Sequence, residues 1–544
     1  MPRTVRVPPH DDAFQSGRGA TAAGLHRVRR LWVVVATIAL ALIIGALVQL
    51  RLRWVRHQAQ DFEFFYHGGA ALLDRAMLDD GLDRHPDGAI ERRGTIEWYP
   101  PFVSRLMTLP VWLGRIIVPT SKPAAETATE PATGVVSATA ESADSGIGHA
   151  GASARQPPAK PDSTSLIPNT PFRAADLIWL AASAAALVAV LRLIGRRLPG
   201  LAADQWPAWV LLPLLAGGLF VHWEFRLNQV NVLTLLLLAG SLVCWEHNRR
   251  GIAGFWLGLA ALLKITPAGL IAWFLLKREW RTATTAVLTI FLLGPLADAV
   301  VLLDGSYYRD VYRQWLGGIS RSSQTALIRD DRELDWRNAA LGASLARTLT
   351  HTSYATRIEN DPRAERWNAP PAYANLLALP RGAVALAASA LTAALLLGLM
   401  WLTRRPAASL TIERIRVEWA VWLLLLLCIM PVMRRYHLVW ALPAFALLAA
   451  QAYRAGSWRQ ALAPTTALAL AVAVQLWALF GSMSSPAAPE IFGMFPLALI
   501  VLGAVLLRST PAGSPASARI TPAIVDRAAA SVATPHPAMG TARE

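Results

Sequence analysis

Charge is what this sequence has least of. Only 16% of its 544 residues are charged, while 54% are hydrophobic; an average soluble domain carries about 25% charged residues, so a soluble enzyme is excluded. Cysteine is nearly absent. Cys244 and Cys428 are the only two, and both lie inside apolar runs, which leaves no disulfide framework and no cysteine-ligated metal site. Acid is scarcer than base, with 36 Asp and Glu against 52 Lys and Arg and a formal charge of +16. In a chain this apolar, such a surplus reads as arginine-rich loops facing anionic lipid, and no nucleic-acid partner is expected. Internal repeats of about 20 to 50 residues are also lacking, so a solenoid is not indicated.

In their place stand long uncharged runs. Leu31 to Leu50, Trp206 to Trp223, Leu227 to Trp245, Gly382 to Thr403 and Gln460 to Pro489 each have about the length a hydrocarbon core requires. The expected fold class is an all-α polytopic membrane protein of about twelve transmembrane helices. Its spans fall at 31–50 and near 174–194, 206–223, 228–245, 251–263, 266–277, 282–303, 380–402, 417–433, 438–453, 461–481 and 490–507. Arg18, Arg27, Arg29 and Arg30 precede the first run, and Arg51 follows it without an A-x-A cleavage pattern. That run is therefore an uncleaved anchor behind a basic cytoplasmic N-terminus, residues 1–30.

Alternation from this start assigns Arg196, Arg197, Arg249, Arg250, Lys277, Arg278, Arg281, Arg404, Arg405 and Arg454 to the cytoplasm, as the positive-inside rule requires. Pro100 to Pro119 is apolar but carries Arg105, Arg115 and Pro110. Counting it as a span would turn the later basic loops outward, so it is read as an interfacial helix. Many of the 21 tryptophans sit at span ends, as in an interfacial aromatic belt. Two large loops, 51–173 and 304–379, then lie outside the cytoplasm. Within the first, residues 120–170 are dominated by Ala, Pro, Ser, Thr and Gly and are expected to be a disordered insertion. The tail 509–544 has the same character and is expected to be a disordered cytoplasmic tail, leaving 31–507 as the functional body.

Asp61-Phe62-Glu63-Phe64-Phe65-Tyr66 sets two carboxylates among aromatics just past the anchor. Either they face water from a juxtamembrane helix, or an apolar wall raises the basicity of one, making it a general base for a sugar hydroxyl. Arg226, Lys264, Arg434 and Arg435 fall at extracytoplasmic span ends, where the orientation rule disfavours cations. Pro267, three residues past Lys264, points to a broken helix with the lysine aimed into a cavity. A phosphate at the membrane surface would suit these cations; snorkelling to the interface is the alternative. His437 has no second His or carboxylate at ligand spacing, so no metal site is read there. Asn228, Gln229 and Asn231 stand at a helix start, placed either to cap it or to recognise hydroxyls. The prolines after Tyr99 fix an extended lead into a helix, which structure alone explains.

The acid-bearing first loop, Tyr99-Pro100-Pro101-Phe102, Asn228-Gln229-Val230-Asn231, the run GFWLGLAALLKITP from Gly254 to Pro267, Arg337-Asn338 before an apolar helix, and Arg435-Tyr436-His437 follow one another in a familiar order. In that order they resemble the GT-C glycosyltransferases of family 87, and look like its polyprenyl-phosphate-mannose-dependent alpha-1,2-mannosyltransferases. The resemblance runs from about 31 to 507. It implies a GT-C fold in a bacterial cytoplasmic membrane, with the active site on the extracytoplasmic side. It also implies inverting transfer of a hexose, mannose by the resemblance, from a polyprenyl-phosphate sugar to a lipid-linked or cell-envelope glycan acceptor. Carried onto this chain, Asp61 is the base, with Glu63 and His437 beside it in the catalytic set. Lys264, Arg434, Arg435 and Arg226 hold the departing phosphate, and Tyr99, Asn228, Gln229, Asn231 and Asn338 meet sugar and acceptor. No nucleotide-binding domain is needed for such a donor, and none is visible. Fixed cations stabilise the leaving charge, so no cofactor is expected, although Asp61 and Glu63 could share a divalent cation.

Two rival readings use the same features. A lipid-linked glycan polymerase or ligase would use the same face and move a whole oligosaccharide. A secondary transporter would share the span number and the broken helix, but transporters gather polar residues at the bilayer midplane, whereas here they cluster at one face beside two long loops.

Overall fold

The computed structural model describes residues 82–84, 90–92, 101–117, 171–197, 206–302, 312–313, 315–317, 319–320, 323–355, 370–455, 457–484 and 488–510. The anchor at 31–50, Asp61, Glu63, Tyr99, the insertion at 120–170 and the chain beyond 510 lie outside them. A short antiparallel hairpin pairs β1 (Leu82–Arg84) with β2 (Ile90–Arg92). Beyond it and an isolated bridge between Ser353 and Tyr373, the regular structure among the described residues is helical.

The helices are α1 (Pro101–Ile117), α2 (Pro171–Arg197), α3 (Trp206–Leu227), α4 (Asn231–Glu246), α5 (Arg250–Leu263), α6 (Gly269–Leu276), α7 (Trp280–Phe291) and α8 (Ala297–Leu302). They continue as α9 (Gln324–Asp330), α10 (Leu341–Leu349), α11 (Arg381–Leu402), α12 (Ile412–Ile429), α13 (Leu442–Arg454), α14 (Trp458–Ser484), α15 (Ala488–Ile491) and α16 (Met494–Ser509). Every segment expected to span from 174 onward is thus helical. In lipid the backbone has no water to bond, and an α-helix satisfies it internally. Ala174–Gly195, Trp280–Val300, Arg381–Leu402 and Trp458–Trp477 are long and apolar enough to cross a membrane, and Leu212–Leu227 with Asn231–Glu246 form a further apolar pair bent by 120°. The chain is a helical membrane protein.

The core runs along α12, which is buried almost all round from Ile415 to Cys428; such a helix belongs at the centre of a bundle. Trp273, Phe274, Trp422, Trp440 and Phe445 fill the space about it. At the periphery, Leu386, Leu397 and Trp401 of α11 and Val287, Leu288 and Phe291 of α7 are exposed, presenting an apolar surface outward. The expected helix around Pro110 forms as α1. It buries Val103, Met107 and Val111, spaced one helical turn apart, with Val103 and Met107 against Ala175 and Trp179 of α2, while Leu109, Trp112 and Ile116 face out.

The bundle has two distinct ends. At one, Arg416 pairs with Glu246 at 2.7 Å, Arg250 with Glu279 at 3.2 Å and Arg454 with Glu413 at 2.7 Å. Buried Lys277 there meets Glu418 and the Arg405 carbonyl. Arg250, Lys277, Arg405 and Arg454 are among the positions that alternation assigns to the cytoplasm. The other end gathers the C-termini of α3 and α5, the N-terminus of α4, and the segments around 333–340, 431–437 and 488–491.

Part of the GFWLG run serves packing alone. A Cβ at Gly254 would strike the Thr282 carbonyl, and one at Gly258 would lie 2.5 Å from Thr289 Cβ and 2.8 Å from the Ala286 carbonyl of α7. The four-residue spacing lets α5 and α7 approach backbone to backbone. Gly258→Ala is expected to destabilise the protein by about 1 to 3 kcal/mol through overpacking, seen as a lower thermal midpoint in detergent.

Candidate active site

Lys264 stands where α5 stops. Its backbone is extended (φ −155°, ψ 131°), its N–H bonds the Ala260 carbonyl, and a 3-10 turn at Thr266–Ala268 leads into α6. Pro267 supplies no N–H for continuing the helix, so the broken helix expected from sequence is present. The ammonium lies at the carbonyl end of α5, the end that favours positive charge. Its Nζ donates to Asn231 Oδ1 at 3.1 Å and sits 5.9 Å from the Tyr436 ring centroid.

Asn231 opens α4 after a tight reversal. Asn228 takes a positive φ of 53°, a conformation asparagine tolerates better than most residues, and its amide donates to the Asp176 carboxylate at 2.7 Å and carbonyl at 3.0 Å. The Gln229 N–H bonds the Glu224 carbonyl. Across the bend, Glu224 of α3 is 1% exposed. Its Oε2 accepts from Asn231 Nδ2 at 2.9 Å and its Oε1 from the Val232 N–H at 2.9 Å. A carboxylate from one helix thus satisfies a backbone donor of the first turn of the next.

Trp223 gathers two arginines: Arg226 lies 4.4 Å and Arg435 5.3 Å from its ring centroid, and Arg435 is 5.6 Å from Trp336 as well. Arg434 pairs with Glu333 and reaches Asp335 at 3.5 Å. Burial alone would push the Asp335 carboxyl up, but neighbouring Arg434 and hydrogen-bonded Arg337 more than reverse this and hold it below the ordinary aspartate value. So held, Asp335 is a counter-charge and a weak base. Arg435 makes a buried ion pair with Glu490.

The loops around these groups are fastened by Arg347 of α10, which is completely buried. Its guanidinium donates to the carbonyls of Leu334 (3.0 Å), Asp335 (2.9 Å) and Asn338 (2.9 Å), and to that of Glu490 across the bundle. Asn338, also fully buried, donates to the carbonyls of Glu333 and Pro431 and accepts from the N–H groups of Ala340 and Met433. His437 accepts the Arg434 N–H on Nδ1 at 3.1 Å. Its burial, with Lys264 and Arg434 nearby, holds the imidazole well below the usual histidine value, so the ring is neutral.

Lys264, Arg226, Arg434, Arg435, His437, Asn228, Gln229, Asn231 and Asn338 therefore share one end of the bundle. Asp61, Glu63 and Tyr99 lie outside the described residues. The amides expected to meet sugar and acceptor are all four buried; Asn228, Asn231 and Asn338 bond neighbouring loops and side chains, and Asn228 Oδ1 has no hydrogen-bond partner among the described residues. Arg434 and Arg435, expected to hold phosphate, both carry carboxylate partners. Sequence reading missed Glu224, Glu333, Asp335, Glu490, Arg347 and the indoles Trp223 and Trp336. Glu224 had a signal, an acid directly after an uncharged run, and ionisable groups at such places mark function by default. Among the described residues no three His, Cys, Asp or Glu side chains converge as metal ligands do.

Residues 164–361 match the model of glycosyltransferase family 87. Among curated proteins, a polyprenol-phosphate-mannose-dependent alpha-(1-2)-phosphatidylinositol pentamannoside mannosyltransferase of Mycolicibacterium smegmatis is 29% identical over 153 residues. The match takes in 28% of this chain and 35% of that protein, so the chain spans about a third of the relative's length. No solved structure matches.

Proposed function

We infer, taking residues 164–361 as a segment of glycosyltransferase family 87, that this protein is an integral-membrane glycosyltransferase using a polyprenyl-phosphate hexose, mannose by its likeness to the mannosyltransferase. The observation that carries the reading is the gathering of Lys264, Arg226, Arg434 and Arg435 with Trp223 and Tyr436 at one end of an apolar bundle. A phosphate on a lipid tail needs cations at the membrane surface next to apolar walls, and both are there.

The proposed topology has about twelve spans, cytoplasmic termini, and the loops 51–173 and 304–379 on the outer side of a bacterial cytoplasmic membrane. The ion pairs around Arg250, Lys277, Arg416 and Arg454 then fall on the cytoplasmic side, as the positive-inside rule favours. Asp61 removes the proton from an acceptor hydroxyl, the freed oxygen attacks the anomeric carbon from the face opposite the phosphate, and the sugar–phosphate bond breaks with inversion. The leaving phosphate gathers negative charge as it departs. Lys264 and Arg226 stabilise it, and Arg434 joins them by exchanging Glu333, which is 34% exposed, for the phosphate. Arg435, sealed against Glu490, sets the shape of the site and adds little charge. Neutral His437 serves as a hydrogen-bonding wall. The acceptor, a lipid-linked or cell-envelope glycan, meets Tyr99 and the first loop.

The test is transfer of radiolabel from a polyprenyl-phosphate mannose to a glycolipid by the purified protein. Label found in a new glycosidic bond supports the reading; label moved across a vesicle membrane with no new bond would make the protein a transporter. Lys264→Ala is expected to weaken donor affinity by about 1.5 to 3 kcal/mol, the scale of a hydrogen bond to a charged group. Titration with the donor in detergent measures it, and unchanged affinity in a folded variant would return Lys264 to snorkelling.

A further inference from the structure

We propose that Glu224 is a positioning residue that fixes Lys264 for its anionic ligand by dictating which way the Asn231 amide points; the proposal rests on the reading of Lys264 as a donor-phosphate contact. An asparagine side chain has an oxygen at one corner and an NH2 at the other, nearly equal in shape, and its neighbours decide between the two orientations. Here both sides vote. The ionised Glu224 carboxylate has acceptors alone and so takes the Asn231 NH2 at 2.9 Å. The Asn231 oxygen is thereby turned to Lys264, at 3.1 Å from Nζ. The amide cannot slide away, because Asn231 is fully buried and its backbone carbonyl accepts the Trp440 indole N–H at 3.0 Å.

The other Glu224 oxygen gives the substitution its logic. It accepts the Val232 N–H at 2.9 Å, a donor fixed in the backbone of α4. Glutamine at 224 has one acceptor oxygen instead of two. The backbone N–H cannot turn round, so that oxygen stays on Val232 and the new NH2 faces Asn231. Asn231 answers by flipping, and its own NH2 then faces the Lys264 ammonium. Two donors now oppose each other in a buried setting, where an unmade hydrogen bond is costly, and Lys264 is pushed from its place at the end of α5. The change in α3 thus reaches Lys264 through Asn231, and it outweighs the loss of a nearby negative charge, which alone would favour an anion at Lys264.

The experiment is a double-mutant cycle on the purified full-length chain in detergent, read as affinity for undecaprenyl phosphate. Glu224→Gln is expected to bind the lipid phosphate about tenfold more weakly than wild type, a typical coupling for residues in one network. In a Lys264→Ala background the same change is expected to have no further effect, because the ammonium through which it acts is gone. If Glu224→Gln binds as wild type does, or if its loss multiplies with that of Lys264→Ala, the positioning role is overturned while the phosphate reading stands. If Lys264→Ala itself binds as wild type does, the phosphate reading falls and this proposal falls with it. Should Glu224→Gln fail to accumulate, Asn231→Ala in the same two backgrounds reads the same coupling, since it cuts the link while leaving the carboxylate on the Val232 N–H.

Discussion

Replacing Asp61 with asparagine is expected to cut turnover by about a hundredfold or more while donor binding persists. The substitution keeps the shape and the hydrogen-bonding reach and removes only the ability to take up a proton. At the described end of the bundle the acids have partners of their own. Glu224 holds Asn231 and Val232, Asp335 is kept below the ordinary aspartate value beside Arg434 and Arg337, and Glu490 is buried against Arg435. All three are engaged by neighbouring groups, and the proposed mechanism assigns proton removal to Asp61. Glu63 is the control: two residues along a helix turn the side chain by about 200°, and Glu63→Gln is expected to be milder. Single-turnover assays with donor binding measured in parallel separate the two. Turnover near wild type in Asp61→Asn with catalysis lost in Glu63→Gln would move the base to Glu63; full activity in both would remove this mechanism.

Arg347→Leu is expected to be the most damaging single change to stability, at least about 3 kcal/mol. The side chain is fully buried, and its guanidinium closes the loop carbonyls of Leu334, Asp335, Asn338 and Glu490. Leucine approximates the stem but leaves four carbonyls facing apolar surroundings, each costing about 1 to 3 kcal/mol if it finds no new donor. Thermal unfolding in detergent reads the loss. Because the same loop carries Glu333 and Asp335, which hold Arg434, activity should fall below the melting transition as well. A variant with wild-type melting and wild-type turnover would show that the loop is held by its other contacts.

The helical class was legible because lipid leaves the chain few choices. An uncharged run of sufficient length has to be a helix, and Pro267 with the charge at Lys264 marked where one would break. Both ends of the bundle carry arginines, one set paired with Glu246, Glu279 and Glu413 and the other gathered around Trp223 and Glu333. The inner workings of the site were not legible. Arg347 looks in sequence like any arginine on a short loop helix, and its meaning comes from carbonyls that the fold brings together from 334–338 and 490. The amides at 228, 229, 231 and 338 read equally well as ligands or as caps; which they are depends on burial, a property of the assembled bundle. Glu224 and Glu490 each directly follow an uncharged run or its closing proline; attention to the runs passed over the acids that ended them.

The Arg105 guanidinium of α1 reaches the Leu293 carbonyl and the Asp298 carboxylate. Leu293 lies in a wide-turn stretch, Leu292–Leu296, where Gly294 leaves helical geometry and Pro295 has no N–H to give, and Asp298 follows in the first turn of α8. The donor and this acceptor are 188 residues apart in the chain, and that separation sets an order of assembly. When α1 leaves the ribosome its partner has not been made, and a charged helix without a partner stays among lipid headgroups. Only once the segment from 280 to 302 has entered the bilayer can Arg105 exchange phosphate for protein. The docking of α1 onto Leu293 and Asp298 is therefore a late event in biogenesis, a latch thrown after the central helices are in place.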